Sequence, residues 1–255
     1  VVMAGNIPLV GFHDFLSVLI LGHNIIIKMS DNDNVLLKAI IEVLLRINPE
    51  FKDNIAFVDD IKNKKFDAVI ATGSDNSAKY FQYYFKDVKK IIRKNKRSVA
   101  ILDGTESDLQ LKGLANDIFA YFGLGCRNVS KVFLKDGYNL DRLFDAFYIY
   151  NKIIEHKKYR NNYDYNKTIF LMGKNKLIEN GFLLMKEDSS LQSPVAMLYY
   201  EYYNQIGVVK NFIKNNADQL QCVVSKSDMP FGSTQEPKLW DYADGIDTIN
   251  FLRDW

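Results

Sequence analysis

Cysteine is scarce in this chain: Cys126 and Cys222 are the only two among 255 residues. Two cysteines so far apart argue against a disulfide framework and fit a reducing, cytoplasmic setting. An excess of either charge is also lacking. Thirty-three basic residues stand against 31 acidic ones, for a formal net charge of +2. The whole chain therefore offers no electrostatic reason to expect a nucleic-acid partner. Histidine is rare as well, and His13, His23 and His156 show no metal-ligand spacing with either cysteine, so no metal site is expected. No apolar run is long enough to span a bilayer; the best, from Leu16 to Ile27, is broken by Gly22, His23 and Asn24. A G-x-G-x-x-G fingerprint, a P-loop, internal repeats and low-complexity tracts are all missing. The opening Val1-Val-Met-Ala-Gly carries no basic leader, so no signal peptide is expected there. A start directly on a β-rich run leads us to expect missing upstream sequence.

What is present is a core-forming composition, 47% hydrophobic and 25% charged. That suits one large domain or two small ones. Short apolar runs alternate with amphipathic stretches. Val1–Met3, Ile25–Ile27, Ile55–Val58, Asp67–Ala71, Val99–Leu102 and Lys131–Leu134 read as strands. Helices are expected over Leu9–Ile20, Asn34–Ile47, Ala78–Phe85, Leu109–Phe122 and Leu140–His156, with Ile61–Phe66 a short charged helix or turn. This rhythm predicts an α/β fold built on parallel sheet. The basic run Lys89-Lys-Ile-Ile-Arg-Lys-Asn-Lys-Arg97 reads as a solvated segment at a strand edge, or as a contact for an anionic ligand. Lys157–Lys167, rich in Tyr and Asn, reads as an exposed connection. Further strands are expected within Gly181–Lys186, Pro194–Tyr203 and Gln219–Val224, and a loop-rich end from Pro230.

Several positions could carry chemistry. Cys126 lies in the glycine-bracketed bend Gly123-Leu-Gly-Cys-Arg127, where backbone N–H groups can stabilise a thiolate and Arg127 adds positive charge. The local sequence fits a buried inert thiol equally well. Cys222, in a strand-like run, reads as core. Thr72-Gly-Ser74, between a strand and a helix, could offer N–H groups to a pyrophosphate or be a plain helix cap. Lys28 and Ser30 could bond ribose hydroxyls or face solvent. Asn6, beside Gly5 and near Pro8, is a turn former or an amide donor to an oxyanion. Asp103, Glu106 and Asp108 read as turn and cap residues.

The order of these signals resembles the aldehyde dehydrogenase superfamily. Asn6-Ile-Pro8 is similar to its Asn-Phe-Pro motif, and Gly22-His-Asn-Ile-Ile-Ile-Lys-Met-Ser30 to its Gly-Asn-x-Val-x-Lys-Pro-Ser segment. Thr72-Gly-Ser74 is similar to its Phe-Thr-Gly-Ser turn, and Gly125-Cys126 to its nucleophile loop. Ser193-Pro-Val195 and Pro230-Phe-Gly232 resemble the later Gly-Pro-Val and Pro-Phe-Gly. Met3-Ala-Gly-Asn-Ile-Pro8, Ser193-Pro-Val-Ala-Met-Leu-Tyr-Tyr200 and Asp241-Tyr-Ala-Asp-Gly-Ile-Asp247 narrow the likeness to the acyl-CoA reductase branch, the type found in bacterial luminescence.

The resemblance implies a parallel-sheet nucleotide-binding domain over residues 1–96, incomplete at its N-terminus. It further implies an α/β catalytic domain over 97–225 and a C-terminal segment, 226–255, packing back near the active site. It implies reduction of an acyl-CoA, fatty by family habit, to an aldehyde, with NADPH as reductant and NAD(H) as the alternative. Cys126 would be the nucleophile and Asn6 the oxyanion donor. Lys28 and Ser30 would approach the ribose, and Thr72, Gly73 and Ser74 the pyrophosphate and nicotinamide end. A second copy, or a subunit supplying acyl groups, would be the protein partner. Two departures stand out. The stretch matching the family's water-activating Glu, Ile91–Lys96, has no carboxylate, which favours hydride or CoA over water as the group that resolves a thioester. Ser190 stands where the family has a ribose-binding Glu. Oxidation of an aldehyde to the free acid, with Glu106 as a substitute base, and a non-catalytic binding subunit are the competing readings.

Overall fold

The computed structural model describes residues 1–61 and 64–253. They divide into two compact units: residues 1–95 with 239–253, and residues 96–238.

The first unit is a parallel α/β layer. It contains α1 (Phe12–Ile20), β1 (Ile25–Ile27), α2 (Leu36–Ile47), β2 (Ile55–Phe57), β3 (Ala68–Thr72), α3 (Asp75–Tyr84) and β4 (Lys89–Arg93). Val1–Met3 runs between β1 and β3 and bonds to both, so the parallel order is β2, β1, Val1–Met3, β3, β4. Phe15, Val18 and Leu19 of α1 and Leu37 and Ile41 of α2 bury against Ile25, Ile27 and Ile70, as the helical spacing of these apolar positions requires. Residues 61–66, expected as a short helix or turn, fall partly outside the described residues.

The second unit holds β5 (Arg97–Leu102), α4 (Asp108–Phe119), β6 (Val129–Lys135), α5 (Leu140–Phe147), α6 (Lys157–Met172), β7 (Ile178–Glu179), β8 (Leu184–Glu187), β9 (Met197–Tyr203), α7 (Ile206–Asn215) and β10 (Leu220–Val224). Its sheet has the order β10-β5-β6-β9-β8-β7, parallel throughout except for β7. Ala100 and Leu102 face one core with Leu111 and Leu114 of α4, while Val99 and Ile101 face another with Val209 of α7. Burial on both faces is why these strands read as unbroken apolar runs.

Four expectations need correcting. Lys157–Lys167 is not an exposed connection but the start of α6: Tyr159, Tyr163 and Asn166 are buried on one face, at helical spacing. Leu140–His156 is α5 followed by a 3-10 segment, Tyr148–Glu155. The basic run is mostly strand, and Arg93 at its end is buried. The segment 226–255 is divided, because its parts are tied to different units. Gly232 and Thr234 bond Asp117 in the second unit, whereas Leu239, Ala243, Thr248 and Leu252 bond His13, Arg93 and His23 in the first, to which α8 (Thr248–Arg253) belongs.

Candidate active site

Cys126 sits at a corner that the chain is forced to make. Helix α4 starts with a full capping box, Ser107 with Gln110. It ends where the Ala120 N–H bonds the Asn116 carbonyl. Tyr121, Phe122 and Gly123 then adopt left-handed φ values of 52°, 60° and 72°. For the two aromatic residues this costs about 1–2 kcal/mol each, and only Gly123 takes it without penalty. The reversal carries the chain into a turn over residues 125–128, closed by the Asn128 N–H on the Gly125 carbonyl at 3.1 Å.

Cys126 is half-buried in that turn. Ser98, fully buried at the start of β5, donates its hydroxyl to the Cys126 carbonyl at 2.9 Å. Asn128 ties the turn to the end of α4 through the carbonyls of Asp117 and Ala120, at 3.0 and 2.9 Å, and accepts the Gly125 N–H at 2.8 Å. Arg127, expected to add charge beside Cys126, instead reaches the Cys222 sulfur at 3.6 Å. Burial pushes the Cys222 thiol up by more than Arg127 draws it down, which keeps it protonated and inert. Ser193, Pro194 and Val195 join Phe122, Gly123 and Val129 around a small cavity of about 30 Å³, so two of the sequence motifs share one wall.

The first unit assembles a different group. Its strands are parallel, so Asn6, Lys28, Ser30, Thr72, Gly73 and Ser74 all follow or end strands at the same, carboxyl edge of the layer. Ligands of open α/β sheets bind at such an edge. Asn6 is exposed. Gly5 beside it lies so close to Ser30 that an added Cβ would come within 2.5 Å of its Oγ. That Oγ accepts the Asn32 N–H at 3.3 Å. Lys28 is half-buried, with its backbone engaged by Val1 and Met3. Ser74 caps α3 by accepting the Ser77 N–H at 3.2 Å, and a Cβ on Gly73 would meet the Ser77 side chain at 2.7 Å. Glycine is therefore required here by the close packing of Ser77, and the start of α3 lies at the edge where an anionic group is favoured. A larger cavity of about 400 Å³, lined by Val1, His23, Ile25, Phe66 and Val69, opens at the opposite end of these strands.

At the site matching the missing Glu, β4 presents Arg93. Its Nε and Nη2 donate to both oxygens of Asp14, at 3.2 and 2.7 Å, and it also bonds Thr248 and the Ala243 carbonyl. Both partners of this ion pair are buried. Glu106, the candidate substitute base, accepts the Asp103 and Gly104 N–H groups and the Tyr138 hydroxyl. It follows the carboxyl end of β5, whereas the Cys126 turn is held at the amino end by Ser98. The strand between, Ser98 to Leu102, spans about 13 Å. Glu106 is therefore a turn residue remote from the sulfur.

Sequence reasoning missed Ser98, Asn128, Arg93 and Lys131 as organising residues. Lys131 is fully buried in β6, bonded to Glu201 and to the carbonyls of Asp188 and Ser190. Burial lowers its pKa, with Glu201 opposing. Ser190, at the place of the family's ribose-binding Glu, is thus held through its carbonyl. The available signal was polarity out of place: Asn128, Ser130 and Lys131 interrupt an otherwise apolar strand.

A family model for acyl-CoA reductase (LuxC) matches residues 1–146, a span that includes the Cys126 turn. No curated protein matches the chain. Among solved structures, aldehyde dehydrogenase 21 from Physcomitrella patens, in complex with succinate, aligns with a TM-score of 0.68 at 13% identity, over 89% of this chain and 55% of that one. The aldehyde dehydrogenase KauB from Pseudomonas aeruginosa gives 0.67 at 12%, over 91% and 62%. The Mycobacterium tuberculosis aldehyde dehydrogenase complexed with NAD+ gives 0.65 at 14%, over 89% and 56%. The fold is that of the aldehyde dehydrogenases, and the chain spans little more than half the length of these structures.

Proposed function

The chain belongs to the acyl-CoA reductase (LuxC) family, and from that premise we propose that it reduces an acyl-CoA to the aldehyde with NADPH through a thioester on Cys126. The observation that carries this reading is the Cys126 corner: a half-buried thiol on a turn fixed by Ser98 and Asn128, inside the span matched to the family.

The Cys126 thiolate bonds the acyl carbon as the carbon–sulfur bond to CoA breaks, and CoA leaves as a thiolate that takes its proton from water. Asn6 and the Cys126 N–H are the proposed donors to the oxyanion. A bound nicotinamide supplies the hydride. The sulfur then leaves the hemithioacetal carbon as the aldehyde forms, and the thiolate is regenerated. Lys28 and Ser30 are proposed to take the ribose, and Thr72, Gly73 and Ser74 the pyrophosphate; their place at the start of α3, on the carboxyl edge of the layer, supports that assignment. A neighbour complexed with NAD+ supports a nicotinamide cofactor, and NADP is proposed on the resemblance.

Reduction is favoured over hydrolysis because the residues at the expected base position offer none. Arg93 occupies it, and the carboxylate against it, Asp14, has both oxygens engaged. Water therefore has no positioned base there.

The test is mass spectrometry of the chain mixed with palmitoyl-CoA, with NADPH absorbance followed in parallel. An acyl mass on the Cys126 peptide, aldehyde formation, and loss of both in Cys126→Ala are the expected results. A Cys126→Ala variant that reduces palmitoyl-CoA at the parent rate would refute the assignment. Free acid formed from aldehyde without CoA would move it to the oxidative reading.

A further inference from the structure

Asn128 is 3% exposed and uses its whole amide. Nδ2 donates to the carbonyls of Ala120 at 2.9 Å, Asp117 at 3.0 Å and Ile118 at 3.4 Å, while Oδ1 accepts the Gly125 N–H at 2.8 Å. The three carbonyls belong to the end of α4, where a helix leaves acceptors without intrahelical donors. The left-handed residues Tyr121 to Gly123 take the chain out of the helix, so these carbonyls need a donor from elsewhere. The Gly125 N–H lies on the other side of the reversal, one residue before the cysteine. A single planar amide thus bridges the two arms of the corner. Arg127 is directed at Cys222, and Ser98 bonds the Cys126 carbonyl and the Cys222 thiol.

We propose that Asn128 is the positioning residue of Cys126, setting where the sulfur sits against an acyl carbonyl without touching substrate itself. The inference rests on the reading of Cys126 as the nucleophile. Placement of an attacking atom is steeply felt, since a shift of about 1 Å costs on the order of 100-fold in rate. Acyl binding, by contrast, needs no contact from Asn128. Loss of the amide therefore lowers the rate of acyl transfer onto sulfur and leaves half-saturation by acyl-CoA in place.

The experiment uses the full chain as parent, Asn128→Ala, Asn128→Asp and Cys126→Ala. Rapid-quench mass spectrometry follows palmitoyl transfer to Cys126 across palmitoyl-CoA concentrations, and iodoacetamide alkylation of Cys126 is followed against pH. Asn128→Ala is expected to lose about 100-fold in acylation rate, with half-saturation by palmitoyl-CoA within about twofold of the parent and a displaced alkylation midpoint. Asn128→Asp keeps the Gly125 acceptor but sets a carboxylate oxygen against the α4 carbonyls, and is expected to lose at least as much. It carries the same test if Asn128→Ala does not stay folded. A merely structural role would scale acylation and alkylation together through the folded fraction and leave the midpoint unmoved. That result, or parent-like acylation in both variants, overturns the inference. A parent that takes up no acyl group at Cys126 overturns the nucleophile reading instead, and this inference with it.

Discussion

Asp117 offers the sharpest test of how the second unit is held together. Its carboxylate is completely buried and accepts the Gly232 N–H at 2.7 Å, the Thr234 N–H at 3.1 Å and the Thr234 hydroxyl at 2.8 Å. Through it, the Pro230–Thr234 loop is fastened to α4, the helix that ends at the Cys126 corner. Asp117→Ala leaves three donors without an acceptor. At about 1–3 kcal/mol for each orphaned buried group, the gross cost is roughly 3–9 kcal/mol. An opposing effect reduces it: burial raises the Asp117 pKa by more than its three donors lower it, so the charge is itself a burden on the fold. A net loss of about 2–5 kcal/mol follows, or roughly 8–20 °C in the melting of this unit. Asp117→Asn keeps one acceptor and drops the charge, and is expected to cost about half as much.

The pH dependence adds a second reading. A carboxyl whose folded pKa lies above the unfolded value near 4 contributes most when protonated. The parent should therefore gain on Asp117→Asn as pH falls from that raised value towards 4. Urea titrations of the three proteins at several pH values decide the matter. If Asp117→Ala unfolds within about 1 kcal/mol of the parent, or Asp117→Asn is the worse variant, the reasoning fails.

Gly113 packs directly on the same loop, and a Cβ there would lie 2.9 Å from the Phe231 carbonyl group. Gly113→Ala, despite its better helix propensity, is therefore expected to destabilise the unit by about 1–3 kcal/mol in thermal melts; a stabilised variant would contradict the contact. In the first unit, Arg93→Met leaves Asp14 buried without its partner, at about 3–5 kcal/mol. Proteolysis should then reach residues 239–253 faster, and an unchanged cleavage rate would dissociate Arg93 from that segment. Tyr138, Tyr159 and Tyr163 are buried, and burial raises their pKa values above the ordinary tyrosine range. Their contribution to stability is complete below about pH 10 and is lost as pH rises beyond it. Circular dichroism and tyrosinate absorbance should change together there. Full ionisation of the tyrosines in an intact fold would be inconsistent with their burial.

Much of the α/β rhythm was legible because strands buried on both faces announce themselves as short apolar runs, as at Val99–Leu102. The cysteine corner was legible through its glycines. Helix α6 was not, since its buried stripe is made of Tyr159, Tyr163 and Asn166, residues whose polarity masks a helical face. Arg93 was hidden by its neighbours: four lysines and another arginine in the same run read as solvated, and the pairing with Asp14, 79 positions away, removes it from water. The division of the C-terminal segment rests on bonds such as Arg93 to Thr248, whose partners lie 155 positions apart. Local pattern carries no trace of such pairs. The anchoring of the Cys126 turn by Asn128 was two residues from the cysteine, but its partners on α4 are fixed only once the reversal at Tyr121 is known.

Lys131 has a further consequence, for how the sheet assembles. In the native pairing it lies beside Val99 and Tyr199, past an irregularity in the ladder at Ser98 and Val99. There its ammonium finds Glu201 and two carbonyls among the rings of Phe133 and Phe212. A slip of one residue would turn it to the other face, into the apolar cluster of Ala100, Leu114 and Leu198. Apolar side chains tolerate such slips; a buried cation does not. Its burial therefore penalises a misregistered strand β6. Lys131→Met is expected to refold with more misregistered, slowly exchanging species, visible as extra kinetic phases that the parent lacks.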